Sequence, residues 1–150
     1  MITYEIGNAK ECFDEISRLF QDHYSEISLL KEYDLRPDYA KYFSIHQQEN
    51  LKVILCKDEE KIIGYIVFFI GKHLHYIDCL LASEDIYYLK PEYRKGRTGI
   101  KMFKYAEQYL KSIGVKMIRY GTKVHSDNSA LFEYLGYSLT EKVYTKMLKD

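Results

Sequence analysis

Apolar residues in the N-terminal third of the chain recur at the period of a helix. The positions that share one predicted helix face are Cys12, Phe13, Ile16, Leu19 and Phe20. Spacings of three or four residues place side chains on one stripe, so the pattern predicts a helix over residues 9–22. A short strand over residues 2–6 precedes it. Pro37, in the first turn of the next apolar pattern, predicts a second helix over residues 38–48.

The middle of the chain is rich in β-branched and aromatic residues, which is typical of strands. We expect antiparallel strands over residues 51–57, 61–70 and 74–81, followed by a further strand over residues 83–89. Pro91 ends the last of these, because proline lacks the amide donor that an interior strand needs.

Helical spacing returns in the C-terminal third and is followed by short elements. The apolar stripe of this helix comprises Ile100, Phe103, Ala106, Leu110 and Ile113. Gly114 closes it, and we expect a strand over residues 115–120, a helix over 127–135 and a terminal strand or hairpin over 137–149. This order of elements predicts a single α/β (α+β) domain over residues 1–150, with a mixed sheet and helices on both faces.

Composition and charge narrow the functional classes. The 150 residues are 47% hydrophobic and 29% charged, and the formal net charge is zero. A neutral chain has no overall attraction for nucleic acid or anionic lipid, so neither is expected as a partner. The longest apolar stretch, residues 62–70, is shorter than the roughly 20 residues of a membrane-spanning helix. Three cysteines without metal-like spacing, and no secretory signal, favour a cytoplasmic protein without a metal site.

Residues 87–100 combine a strand, a basic turn with two glycines and the start of a helix. Gly96 and Gly99 permit close approach of a ligand to the backbone. Lys95 and Arg97 add positive charge to a chain that is neutral elsewhere. The first amides of a helix lack internal partners and carry the positive end of its dipole. The segment therefore predicts an anion site, with an ordinary strand-to-helix turn as the alternative.

The same segment resembles the acetyl-coenzyme A loop of the GNAT superfamily of N-acetyltransferases. That loop reads Arg or Gln, two residues, Gly, one residue, then Gly or Ala. Here Arg94 and Gly99 fill its two ends, while Arg97 replaces the middle glycine. Residues 131–137, Leu-Phe-Glu-Tyr-Leu-Gly-Tyr, are similar to the family's Leu-Tyr-x-x-Leu-Gly-Phe helix end. The two features cover residues 84–140 in the family's order.

The resemblance implies a GNAT-like fold and a cosubstrate. The fold would be a twisted, mainly antiparallel sheet of about six to seven strands, with a V-shaped split between two central parallel strands. Acetyl-coenzyme A would lie with its pantetheine arm in that split. The cofactor-binding residues implied by the resemblance are Tyr87, Tyr88, Leu89, Arg94, Lys95, Gly96, Arg97, Thr98, Gly99, Ile100 and Asn128.

Transfer of acetyl to a primary amine needs a base for the amine and a proton for the leaving thiolate. Glu84 and Asp85 lie just before the cofactor strand, and alternation sends one to each face unless a bulge intervenes. Counting alternate positions back from Leu89 places Asp85 on the same side of the strand as Tyr87, which favours Asp85 as the base, with Glu84 second. The resemblance implies a tyrosine acid, but Phe132 stands there and cannot donate a proton. Tyr134 is then the candidate acid, ahead of Tyr137 or water.

The acceptor side carries weaker signals. His23 and Tyr24 begin the irregular segment that usually covers the acceptor pocket in this superfamily, and His75 with Tyr76 could border that pocket. The acceptor is expected to be a small-molecule or protein amine. Exposed edge strands and 16 tyrosines permit a homodimer. The two departures from the family pattern motivate an alternative, an acyl-coenzyme A-binding or protein-interaction module with little or no turnover.

Overall fold

The fold is seen in a computed structural model that describes residues 1–28 and 32–149. In chain order its helices and strands are β1 (Ile2–Gly7), α1 (Ala9–Ile27), α2 (Tyr39–Gln47), β2 (Leu51–Asp58), β3 (Lys61–His73), β4 (Tyr76–Leu89), α3 (Thr98–Ser112), β5 (Met117–Arg119) and α4 (Ser129–Tyr134). A short 3-10 helix, Pro91–Tyr93, lies between β4 and α3.

The five strands form one sheet in the order β1-β2-β3-β4-β5. The first three pairings are antiparallel, and β4 pairs with β5 in parallel. That parallel pairing is confined to Leu81–Ser83 of β4 and Met117–Arg119 of β5. Beyond it the two strands separate, which confirms the mixed, mainly antiparallel sheet with a V-shaped split.

Helices cover both faces of the sheet because β2 and β3 are apolar on both sides. On β2, Val53 and Leu55 belong to the core beneath α1, whereas Ile54 and Cys56 belong to the core beneath α3. Alternation along a strand sends neighbouring side chains to opposite faces. The sheet is therefore buried in a layer between α1 and α2 on one face and α3 and α4 on the other.

The number of strands is five rather than six to seven, and two local differences account for this. The break expected at Ala82 is absent, because Ala82 pairs with Ile70 of β3 and the pairing continues on both sides of it, so residues 76–89 form one strand, β4. Residues 137–149 have no regular secondary structure. The neighbouring edge strand, β5, has only three residues and offers a short template for a further strand.

The helices lie where the periodicity predicts, with shifted ends. α1 begins after Asn8, whose side chain accepts a hydrogen bond of 2.9 Å from the Lys10 N–H, and continues to Ile27, past the expected end. α2 begins after Asp38, which caps the Lys41 N–H at 3.0 Å. Within residues 1–28 and 32–149, none of the helices combines the length and apolar character needed to cross a bilayer.

Candidate active site

The split between β4 and β5 opens into a groove with a volume of about 620 Å³. One wall is the C-terminal half of β4, Glu84–Leu89, which pairs with β3 but not with β5. The opposite wall is the segment after β5, which includes Gly121, Thr122 and Asn128. The groove therefore runs along the half of β4 whose outer edge has no partner strand among the described residues.

The basic turn before α3 forms one end of this groove. Gly96, Gly99 and Ile100 line it, and Gly96 has a φ of 87°, in the left-handed region that favours glycine. Among the described residues, no side chain caps the first amides of α3, which leaves them available to an anion. Three further candidate residues of this turn are not among those that line the groove: Lys95, Arg97 and Thr98.

Arg94 lines the groove and also ties the turn to two other elements. Its Nε donates to the Leu89 carbonyl at 2.7 Å, and its Nη2 donates to Glu26 of α1 at 2.7 Å. The guanidinium carbon lies 5.5 Å from the centre of the Tyr88 ring. Arg94 therefore holds the end of β4 against α1, and Tyr88 and Leu89 line the groove beside it.

Glu84 lies where β4 and β5 part. Its Oε2 accepts a hydrogen bond of 3.0 Å from the Gly121 N–H, so the side chain bridges the two walls. Burial raises the pKa of Glu84 to about 7, although the Gly121 hydrogen bond favours the charged form and opposes this rise. A carboxyl with this pKa is partly ionised at neutral pH and can both accept and release a proton.

Asp85 is the bulged residue of β4. Val67 pairs with Ile86 and Phe68 with Glu84, so Asp85 has no partner on β3. The bulge overrides the strict alternation expected from sequence, and both carboxylates line the groove. The Tyr42 hydroxyl donates a hydrogen bond to Asp85. Burial raises the pKa of Asp85, and the Tyr42 hydrogen bond partly offsets that rise.

Tyr87 and Asn128 connect the two walls further along the groove. The Tyr87 hydroxyl donates to the Gly121 carbonyl at 2.9 Å and accepts from Asn128 Nδ2 at 3.2 Å. Glu84 and Tyr87 thus hold both main-chain groups of Gly121. Burial raises the pKa of Tyr87, which keeps its hydroxyl protonated at neutral pH.

A second cavity of about 380 Å³, which we call the side cavity, adjoins the groove. It lies between the C-terminal half of α1, the 33–37 segment and α2. The residues that line both spaces are His23, Ile27, Ile86 and Lys123. His23 is 5% exposed, and its Nδ1 shares a hydrogen bond of 2.9 Å with the Tyr65 hydroxyl. Burial lowers the pKa of His23 to about 4, so the ring is neutral at pH 7.

The remaining candidates lie apart from these cavities or on one of them only. Tyr24 lines the side cavity. His75 and Tyr76 lie at the β3–β4 turn, where His73 contacts both rings, and line neither cavity. Tyr134 is 69% exposed at the end of α4 and also lines neither.

Phe132, which stands where the family pattern has tyrosine, is buried in an aromatic cluster. Its ring stacks on Tyr120 at 5.0 Å and meets Tyr87 edge-on at 5.8 Å. The ring therefore packs behind Tyr87, on the side of the sheet covered by α3 and α4.

Sequence reasoning missed several residues of the site, among them Tyr42, Gly121 and Lys123. Tyr42 lies on a helix whose other tyrosine looks the same in sequence, and nothing in the chain pairs it with Asp85, 43 residues away. The glycine directly after the predicted β5 strand was the one available signal, since a glycine there permits close backbone approach.

We compared the chain with protein families, curated sequences and solved structures. The model of the acetyltransferase (GNAT) family matches residues 13–137. No curated protein sequence matches the chain.

Solved structures match over nearly the whole chain. An aminoglycoside acetyltransferase from an uncultured soil metagenomic sample, in complex with sisomicin, superposes with a TM-score of 0.76 at 16% identity, covering 99% of this chain and 97% of that one. Glucosamine-6-phosphate N-acetyltransferase from Arabidopsis thaliana gives 0.73 at 13% identity, covering 99% of each chain. A predicted acetyltransferase from Clostridium acetobutylicum, with acetyl-CoA, gives 0.72 at 12% identity, covering 98% and 96%. At these identities the structures establish the fold, and together with the family match they show that the chain belongs to the GNAT acetyltransferase family, whose acyl donor is acetyl-coenzyme A.

Proposed function

We propose that the protein is an acetyl-coenzyme A-dependent N-acetyltransferase in which a primary amine attacks the thioester directly. The observation that carries the proposal is the one-sided pairing of β4, which leaves a groove along Glu84–Leu89 with a partly ionised carboxyl at its closed end. Family membership supplies the donor.

Main-chain groups would hold most of the donor. The free edge of β4 between Glu84 and Leu89 can hydrogen-bond an extended pantetheine arm as a further strand would. The first amides of α3, with Gly96 and Gly99 beside them, suit the diphosphate. Bound in this way, acetyl-coenzyme A supplies an activated thioester carbonyl.

Glu84 is proposed as the general base. The amine nitrogen bonds to the acetyl carbon, the carbon–sulfur bond breaks, and the proton lost by nitrogen passes to the Glu84 carboxylate. A base is most effective when its pKa lies near the working pH, which favours Glu84 with a pKa of about 7. Asp85, which the sequence favours first, accepts a hydrogen bond from the Tyr42 hydroxyl, and that bond stabilises its unprotonated form and lowers its basicity.

Tyr87 is proposed as the proton donor to the leaving thiolate. Its side chain lines the groove, and its hydroxyl proton, donated to the Gly121 carbonyl at rest, would turn to the leaving sulfur, whereas Tyr134 is exposed outside the groove. The thiolate takes the phenol proton to leave as a thiol, and the phenolate regains a proton from solvent. No covalent intermediate on the protein is needed.

Two measurements test this function together. Calorimetry should detect binding of acetyl-coenzyme A, and a free-thiol assay should detect release of coenzyme A when a panel of primary amines is added. Absence of acetyl-coenzyme A binding would overturn the proposal. Tight binding without transfer to any amine would instead support a binding module on the same scaffold.

A further inference from the structure

The side cavity differs from the groove in the chemistry of its inner wall. Its buried or half-buried lining residues are mostly apolar or aromatic: Phe20, His23, Tyr24, Ile27, Ser28, Leu35, Pro37, Tyr42 and Ile86. His23 is uncharged at neutral pH, because burial lowers its pKa to about 4. Among the described residues the inner wall therefore carries no charge, and His23, Tyr24 and Tyr42 already make hydrogen bonds within the protein.

The charged residues of the side cavity lie at its rim. Asp34, Arg36 and Lys123 line the cavity and are exposed to solvent. One negative and two positive charges in water are well screened and add little binding energy for a ligand of either sign. The rim therefore does not select a strongly charged acceptor.

A carboxylate lies where the side cavity meets the groove. Tyr42 lines the side cavity, Asp85 lines the groove, and the Tyr42 hydroxyl donates to Asp85 between them. Asp85 is half-buried and accepts no hydrogen bond from a cationic side chain among the described residues. A poorly solvated carboxylate at the inner end of an apolar cavity favours a cation on the end of an apolar body.

We propose that the acceptor is an arylalkylamine: a primary amine on a compact aromatic body, with the ring in the side cavity and the ammonium at Asp85. The inference rests on the proposed function and names the acceptor class of the same site. Phe20, Tyr24 and Tyr42 supply ring faces and edges for aromatic contact. Before attack the ammonium at Asp85 releases one proton to solvent water, and the proton that nitrogen loses on acylation passes to the adjacent residue, Glu84.

The same wall discriminates against polyhydroxylated amines. Sugar hydroxyls need hydrogen-bond partners when they leave water, and an apolar wall leaves them unpaired, which weakens binding. Aminoglycosides and amino sugars, the compounds in the names of two structural relatives, are therefore not expected to be good acceptors here.

The first test compares acceptors in the free-thiol assay. Phenethylamine, glucosamine and spermidine are each supplied with saturating acetyl-coenzyme A. We expect kcat/KM for phenethylamine to exceed that for glucosamine by about 100-fold. A preference for glucosamine or spermidine would overturn the acceptor class and leave the proposed function intact.

The second test measures binding without chemistry. In protein loaded with coenzyme A, Asp85→Asn should weaken the binding of phenethylamine by at least about tenfold, because a charge-assisted hydrogen bond is lost. Binding of 2-phenylethanol, which has no ammonium, should be unchanged. Equal weakening of both compounds, or of neither, would overturn the placement of the ammonium at Asp85.

A matched pair of variants tests the apolar wall. Leu35→Ser places a hydroxyl in the side cavity, whereas Leu74→Ser makes the same change at a side chain that is 97% exposed in the β3–β4 turn. Leu35→Ser should weaken phenethylamine binding several-fold without changing acetyl-coenzyme A binding, and Leu74→Ser should change neither. Unaltered phenethylamine binding in Leu35→Ser would overturn the proposal. Failure of transfer to every amine, with these binding results unchanged, would overturn the proposed function alone.

Discussion

Two halves of β4 share one strand but differ in what lies beside them. At Leu81–Ser83 the strand is paired on both sides, and Ala82 is fully buried. At Glu84–Leu89 it is paired on one side only, and two polar side chains reach across the gap to Gly121. The first half holds the sheet together, and the second exposes main-chain groups that a ligand can pair with.

The comparison also shows how the local environment alters a carboxyl group. Asp78, in the first half of β4, is exposed on the surface, whereas Glu84 and Asp85 are half-buried at the point where the strands part. Burial is the largest cause of the raised pKa of both groups. Proton-transfer chemistry is therefore expected where the sheet opens.

The largest effect on turnover is expected from Glu84→Gln, which removes the proposed base but keeps the shape of the side chain. The turnover number for amine acetylation should fall by roughly 100- to 10,000-fold, the usual contribution of a general base. Calorimetry should show nearly unchanged acetyl-coenzyme A binding. Glu133→Gln, at an exposed position of α4, is the matched control and should retain wild-type turnover.

The pH dependence of turnover should follow the ionisation of Glu84. With a pKa of about 7, the carboxylate fraction rises about tenfold between pH 6 and pH 8. Turnover at saturating amine should rise over the same interval, and Glu84→Gln should lack that inflection. A wild-type profile flat from pH 6 to 8 would rule out Glu84 as the base.

The same titration has a consequence for stability with a definite sign. The folded pKa of Glu84, about 7, is above its ordinary value of 4.5, so the folded state binds more protons than the unfolded state between these values. The contribution of this group to the free energy of unfolding therefore falls as pH rises from about 4.5 to 7. Urea unfolding at several pH values should show a smaller fall in Glu84→Gln.

A smaller effect is expected from Tyr87→Phe. Loss of the phenol removes two hydrogen bonds across the groove and the proposed proton donor, and turnover should fall about fivefold or more. Tyr134→Phe makes the same change at the position suggested by sequence and should leave turnover unchanged. A larger fall in turnover in Tyr134→Phe than in Tyr87→Phe would instead support Tyr134, at the end of α4, as the proton donor.

Much of the fold follows from periodicity in the sequence. The apolar stripes over α1 and α3 and the β-branched runs of β2 and β3 each reflect burial along an element, which is local information. The bulge at Asp85 is not local, because it depends on how β4 registers against Val67 and Phe68. The pairing of Ala82 with Ile70 is equally non-local, and for that reason the sequence predicts two strands where the structure has one.

The residues of the candidate site also differ in whether local sequence predicts them. The sequence predicts the glycine turn, Tyr87 and Asn128 because each lies in a segment that resembles the family pattern, and Gly96, Gly99, Tyr87 and Asn128 line the groove. Tyr42, Gly121 and the ranking of Glu84 over Asp85 depend on contacts between residues far apart in sequence. The sequence favours Tyr134 because its neighbourhood matches the family pattern, whereas the exposed position of its side chain depends on how α4 packs, which is not local information.

The smallest effect is predicted for alanine substitutions of the glycines at the two ends of α3, and comparing them distinguishes backbone strain from loss of a ligand contact. Gly96 and Gly114 have φ values of 87° and 91°, and an added Cβ would meet no atom within 4 Å at either position. Alanine at either position should lower the free energy of unfolding by about 1 kcal/mol, because side chains strain the left-handed conformation. Only Gly96→Ala lies in the groove, so only it should also weaken acetyl-coenzyme A binding, by a few-fold, in calorimetry. Equal affinities of the two variants for acetyl-coenzyme A would mean that the turn before α3 does not contact the donor. Weaker binding in Gly96→Ala alone, at equal stability, would support a contact between this turn and the donor.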